Sequence, residues 1–135
     1  MNKEKIRVAI VGTGRISDLH AIEYMQNPNA EIVALCDTNI DLAKNRAKKW
    51  GCSESTKIVD ELDKVLKDNN VDMVELLLPH HMHLKSALKA IEAGKIVSLQ
   101  KPMCLNLDEA NTLVDAVEKY DKPLRFLRIL FFTHL

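Results

Sequence analysis

A doubly wound parallel α/β sheet, folded as a single domain, is the architecture this sequence predicts. Three observations carry the prediction. Apolar, strand-like runs alternate with helical stretches of about 10–15 residues, an order that imposes right-handed crossovers between parallel strands. The first run, Ile6–Val11, leads straight into the turn Gly12-Thr13-Gly14 and then into a helical pattern. A later run, 71–78, is apolar at nearly every position, as a strand covered on both faces requires.

The elements follow in order. Ile6–Val11 reads as a buried strand. After the glycine turn, Ile16, Leu19, Ile22 and Met25 recur at helical spacing and form the apolar stripe of a first helix, which ends before Asn27, Pro28 and Asn29. Residues 31–36 form the second strand, which ends at Asp37. Residues 41–50 form the second helix, with Leu42, Ala43, Ala47 and Trp50 on one face and Gly51 as its stop. Residues 56–58 make a short third strand. Asp60 caps a helix carrying Leu62, Val65 and Leu66, closed by Asp68, Asn69 and Asn70. Pro79 ends the fourth strand, 71–78. Residues 83–93 form a helix with Leu84, Ala87, Leu88 and Ile91 in register and Gly94 as its C-terminal stop. Residues 96–99 are the fifth strand. Asn106 and Glu109 make a reciprocal cap for the helix carrying Leu107, Ala110, Leu113, Val114 and Val117. Residues 124–130 read as a sixth strand, so the domain runs over 1–123 and a last strand with an apolar tail occupies 124–135.

Composition bounds the function. At 135 residues, 47% of them hydrophobic, the chain suits one domain with a real core. Nineteen basic and nineteen acidic side chains cancel, so no net field attracts nucleic acid or an anionic membrane. No apolar run approaches the roughly 18 residues of a membrane span. Residues 1–5 lead directly into the first strand, and no signal peptide is expected. The three cysteines, Cys36, Cys52 and Cys104, are odd in number and scattered. They fit reduced thiols, and a cytoplasmic location is expected.

The glycine turn is where chemistry concentrates. In a strand–turn–helix order, the first glycine permits the sharp turn and the second lets backbone N–H groups approach a pyrophosphate. A small third residue, here Ser17, lets the helix pack close to the strand. Asp37 lies 20 residues beyond Ser17, where a carboxylate can accept both hydroxyls of an adenosine ribose. It would repel a 2′-phosphate, and no arginine follows in 38–40, which favours NAD over NADP. The competing reading is that Asp37 starts a turn or caps the next helix. Lys101 follows the fifth strand, so its ammonium can reach the nicotinamide end of the crevice and hold or shuttle a proton; the plainer reading is a solvated lysine. His80, His81 and His83 invite a metal reading, but no cysteine or carboxylate joins them at zinc spacing, and no metal is assigned. His20 and Trp50 read as packed side chains.

Together these residues resemble the Gfo/Idh/MocA family, relatives of glucose–fructose oxidoreductase and inositol dehydrogenase. The resemblance is carried by Gly12-Thr13-Gly14-Arg15-Ile16-Ser17, by Asp37, by the stretch 78–83, by Ala93-Gly94-Lys95, and by Gln100-Lys101-Pro102. It implies an NAD(P)-binding Rossmann fold. It implies that Gly12, Thr13, Gly14, Arg15 and Ile16 border the pyrophosphate and that Asp37 holds the ribose. Leu78, Pro79 and His83 would line the crevice, and Lys101 would be the catalytic lysine and border the cofactor as well. Leu78 and His80 stand where the family carries threonine and asparagine, and Gln100 where it carries glutamate. The resemblance also implies a second domain that supplies the substrate pocket, and this chain is expected to lack it.

The function the resemblance implies is an NAD-dependent oxidoreductase acting on a sugar, cyclitol or related hydroxyl, present as its cofactor-binding domain. The alternative is an inactive, truncated module that binds NAD or only itself. Phe131, Phe132 and Leu135 form an apolar carboxyl end, from which a homo-oligomer through the tail is expected.

Overall fold

The structure, a computed structural model, describes residues 4–100 and 105–120. Five strands lie in it: β1 (Ile6–Val11), β2 (Ala30–Cys36), β3 (Lys57–Val59), β4 (Met73–Leu76) and β5 (Ile96–Leu99). All pair in parallel, in the order β3-β2-β1-β4-β5. Between them run α1 (Ser17–Gln26), α2 (Ile40–Lys49), α3 (Leu62–Leu66) and α4 (His83–Glu92), with α5 (Leu107–Lys119) after β5. The expected sixth strand at 124–130, the apolar tail and the oligomer contact built on it lie outside the described residues, as does the boundary at 123.

Alternation along β1 divides the core. Val8 and Ile10 point to one face, against Ala21 of α1 and Ala43 of α2, with Trp50 beside them. Ala9 and Val11 point to the other, against Val65, Ala87, Ala90, Ile91 and Leu113 of the remaining helices. The parity changes once within β2. Val8 pairs with Ile32 but Ala9 pairs with Ala34, so Val33 is an extra residue in the register. A single inserted residue inverts which side chains face which layer. Ile32 and Leu35 therefore share the α1/α2 face although three positions separate them.

Helix α1 departs from the apolar stripe. Ile16, Leu19, Ile22 and Met25 are 39–54% exposed, and the buried residues are Ser17, His20 and Ala21. Small side chains at Ser17 and Ala21, one turn apart, let the helix axis come close to the sheet. Close approach, not hydropathy, selects the buried face.

The remaining differences are local. Helix α3 has Glu61 at its N-cap with no side-chain cap, and Asp60 instead meets Lys64 Nζ at 2.6 Å. At α5, Asn106 accepts from the Glu109 N–H at 2.9 Å as expected. The Glu109 carboxylate, however, accepts from the Leu105 N–H at 2.7 Å, not from Asn106. Strand β4 is shorter than 71–78, although Leu77 still donates its N–H to Val11 O at 2.8 Å. Lys95 is buried, and its ammonium donates to the carbonyls of Asp68 at 2.8 Å and Val71 at 2.7 Å. That closes the loop between α3 and β4 and gives the lysine after Gly94 a structural role.

Glu75 is a carboxyl 1% exposed in the middle of β4. Burial pushes it above the usual range, against the lowering effect of the Tyr24 hydroxyl, His20 and the Ser98 hydroxyl. A carboxyl raised in the fold lends most stability below its unfolded value, near 4.3. That contribution erodes as pH climbs to the folded value. Glu75→Gln removes the buried charge and keeps a polar group for Ser98 and Tyr24. Relative to wild type, its stability is expected to rise from pH 4 towards pH 7, by about 1 kcal/mol. Urea midpoints across that range check this.

Candidate functional site

The strand order leaves a switch point. The chain runs from β1 outward to β3, then crosses to β4 on the other side of β1. Helices on opposite faces diverge there, and a crevice opens beyond the carboxyl ends of the strands. It encloses about 470 Å³ and is lined by Gly12, Gly14, Asp37, Leu78 and Pro79, among others.

The loop between β1 and α1 forms its floor. Gly12 has φ of 95°, a conformation that favours glycine, and its N–H donates to Cys36 O at 2.8 Å. At Gly14 nothing lies within 4 Å of where a Cβ would stand. Ser17 donates its hydroxyl back to Gly14 O. Among the described residues, no backbone group accepts from the N–H of Gly14, Arg15 or Ile16. An open cradle with unused donors at the start of a helix suits the oxygens of a diphosphate. Arg15 and Ile16, expected to border the pyrophosphate, are exposed and do not line the crevice.

Asp37 stands at the end of β2. Its Oδ2 accepts from the Thr13 N–H at 2.9 Å and the Thr13 hydroxyl at 2.8 Å, and Oδ1 accepts from the Asn39 N–H at 2.9 Å. Burial raises this carboxyl. The hydrogen bonds from Asn39 and Thr13 outweigh that and hold it below the usual carboxylate range. Asp37 therefore stays charged well into acid. A carboxylate has about four acceptor positions, so the three bonds leave capacity towards the crevice. The turn half of the competing reading is also realised, since Asp37 accepts from the N–H two residues on, but the cap of α2 is Asn39, which accepts from the Leu42 N–H at 3.1 Å. Thr13 faces inward. It is fully buried, and its donors serve Asp37.

A second set of contacts clamps the loop from α2. Arg46 donates Nε to Thr13 O at 3.0 Å and reaches Asp18 at 3.2 Å. The Trp50 indole N–H, at 2.8 Å, and Lys49, at 3.0 Å, also meet Asp18. Trp50 first, then Lys49, hold the Asp18 carboxyl below its ordinary range. Hydropathy and spacing do not reveal that the Trp50 N–H is directed at Asp18, on the helix behind the glycine loop.

The opposite wall is built from the β4–α4 connection. Leu78 and Pro79 face the crevice. His83 supports them from behind. It is 1% exposed, and its Nε2 meets Leu78 O at 2.8 Å. Met82, Lys85 and Ser86 extend this wall; in sequence they are ordinary residues of a helix and its lead-in. Cys36 lines the crevice as a neutral thiol, pushed up to about 12 by burial and then by neighbouring carboxylates, Asp37 first. Lys101 lies outside the described residues. The crevice thus brings together Gly12, Gly14, Asp37, Leu78 and Pro79, with Thr13 and His83 as supports.

Comparison with known proteins agrees with this fold. The profile of the GFO_IDH_MocA group, described as "Oxidoreductase family, NAD-binding Rossmann fold", matches residues 6–126. D-glucoside 3-dehydrogenase of Escherichia coli K12 is 31% identical over 127 residues, covering 93% of this chain and 35% of the relative. Myo-inositol 2-dehydrogenase of Thermotoga maritima is 28% identical over 116 residues, covering 86% of this chain and 34% of the relative. The crystal structure of the WlbA dehydrogenase from Bordetella pertussis, in complex with NADH and UDP-GlcNAcA, superposes with a TM-score of 0.77 at 28% identity. That match covers 89% of this chain and 34% of the other. This chain therefore spans about a third of the length of the relatives it matches. Among the described residues, no helix is long and apolar enough to cross a membrane.

Proposed function

The chain belongs to the Gfo/Idh/MocA oxidoreductase family, and on that premise we propose that its crevice holds NAD in preference to NADP for a dehydrogenase of sugar, cyclitol or related hydroxyls. The observation that carries the reading is that Gly14, whose N–H no backbone group accepts from among the described residues, lines one crevice with the charged carboxylate of Asp37. The amides of Gly14, Arg15 and Ile16 face the diphosphate. Asp37 accepts from a ribose hydroxyl, and it repels the extra phosphate of NADP. Leu78 and Pro79 exclude water from the opposite side. Bound in this way, the nicotinamide ring supplies a hydride acceptor. Lys101 is assigned the reacting hydroxyl, whose proton it holds or takes. The reaction and its substrate are proposals for the whole protein, because this chain spans about a third of its relatives' length.

Calorimetric titration of the chain with NAD and with NADP tests the proposal. NAD is expected to bind at least about tenfold more tightly, since a phosphate forced against a carboxylate costs more than about 1.4 kcal/mol in a partly desolvated site. Tighter binding of NADP, or no binding of either at millimolar concentration, would overturn it.

A further inference from the structure

Every polar group of Thr13, between the two glycines of the loop, is engaged by a side chain from elsewhere in the fold. Its N–H and hydroxyl go to Asp37, at 2.9 and 2.8 Å. Its carbonyl accepts from Arg46 Nε of α2 at 3.0 Å. Arg46 is held in turn by Asp18, which its Nη1 meets at 3.2 Å. Asp18 is itself held by the Trp50 indole N–H at 2.8 Å and by Lys49 at 3.0 Å. The Arg46 side chain is only 18% exposed, so little water competes with it for the Thr13 carbonyl.

The bond from Arg46 fixes more than a carbonyl. A peptide group is planar and trans, so its C=O and N–H point in opposite directions. The carbonyl of Thr13 and the N–H of Gly14 belong to one such plane. With the carbonyl held by α2, the Gly14 N–H points away from α2. Among the described residues no backbone group accepts from that N–H, and Gly14 lines the crevice. The plane needs a restraint because a glycine follows it. Half a turn of the plane changes ψ of Thr13 and φ of Gly14, and glycine adopts either sign of φ. The turned plane would set the Thr13 carbonyl against phosphate oxygens, acceptor against acceptor.

We infer that Arg46 is a positioning residue for the cofactor: by holding Thr13 O it keeps the Gly14 N–H turned into the crevice. The inference rests on the diphosphate reading proposed above. A purely structural tie between α2 and the glycine loop would stabilise the fold and affect every ligand of the crevice alike.

The test compares NAD with adenosine, which has the ribose and the base but no phosphate, in NMR titrations of the full chain. Arg46→Gln and Arg46→Met both remove the charge that meets Asp18. They differ at the Thr13 carbonyl, because Gln carries an N–H donor about where Nε stood and Met carries a methyl group there. Arg46→Met is expected to weaken NAD binding at least about tenfold and adenosine binding less than about twofold. Arg46→Gln is expected to hold NAD within about threefold of wild type. The shift of the Gly14 amide on adding NAD should persist in Arg46→Gln and fall to less than about half in Arg46→Met. Arg46→Ala also lacks the donor and suits a helix, so it takes the place of Arg46→Met if that variant does not fold. Wild-type NAD affinity in the variant without a donor, equal losses for NAD and adenosine, or an Arg46→Gln as weak as that variant overturns the inference. Absence of NAD or adenosine binding in wild type overturns the parent reading instead.

Discussion

Gly12→Ala is expected to cost about 3 kcal/mol or more of folding stability and to abolish dinucleotide binding. Two independent penalties coincide at this position. The φ of 95° disfavours any residue with a Cβ, by about 1–2 kcal/mol. An added Cβ would also stand 2.4 Å from Leu77 O, a backbone atom that cannot rotate away. Leu77 is itself fixed, because its N–H bonds Val11 O at 2.8 Å. Relief therefore requires β1 and the β4 exit to separate, which opens the crevice between them. Most domains have only about 5–15 kcal/mol of stability, so a loss of this size is large. A urea midpoint that drops with its slope unchanged would locate the effect in the native fold. Gly14→Ala is the control. Nothing lies within 4 Å of its added Cβ, so stability should hold while the new methyl obstructs the diphosphate.

The second large effect concerns Asp37. Asp37→Ala is expected to weaken NAD binding about 10–100-fold and to erase the preference over NADP. With three of its roughly four acceptor positions used within the protein, Asp37 has one left for a charge-assisted hydrogen bond from the ribose, worth about 1.5–3 kcal/mol. The same substitution strands the N–H and hydroxyl of Thr13, a fully buried residue, so some destabilisation accompanies it. Thr13→Val separates the two contributions. It removes the hydroxyl bond but leaves the carboxylate, so stability should fall by about 1 kcal/mol with a much smaller loss of affinity. The pH dependence has a definite sign. A carboxyl held below its ordinary value lends stability above the unfolded value near 3.9, and loses it as pH falls through the folded value. Through this group, NAD affinity should stay flat from pH 8 to pH 5 and fall only in stronger acid.

The contrast between these two residues shows what was legible in the chain. Gly12 could be read directly, because a strand, a tight turn and a helix in succession leave few alternatives to a left-handed glycine. The position of Asp37 could also be read, but its threefold engagement could not. Nothing in a linear sequence says that Thr13 will turn inward and consume acceptor capacity 24 residues away. Helix α1 shows a related limit. Hydropathy alone favours Ile16, Leu19, Ile22 and Met25 as the buried face, yet close packing on the sheet selects Ser17 and Ala21. Small residues at i and i+4 were the available signal. Glu75 shows the same limit from the other direction. A lone acid in an apolar strand looks like an exception to the pattern until Tyr24, Ser98 and His20 converge on it. His83 was expected to line the crevice, yet it lies buried behind the wall with its ring nitrogen on Leu78 O, just after the 3₁₀ turn at His80–Met82.

The central claim is that one crevice takes a diphosphate on backbone amides and a ribose on Asp37. Amide-resolved NMR of the isotopically labelled chain, titrated with NAD, tests it most directly. The account predicts saturable shifts of the Gly14, Arg15 and Ile16 amides together with the Asp37 carboxyl carbon, all at one dissociation constant. Shifts confined to other surfaces, with those amides unmoved at saturating NAD, would contradict it.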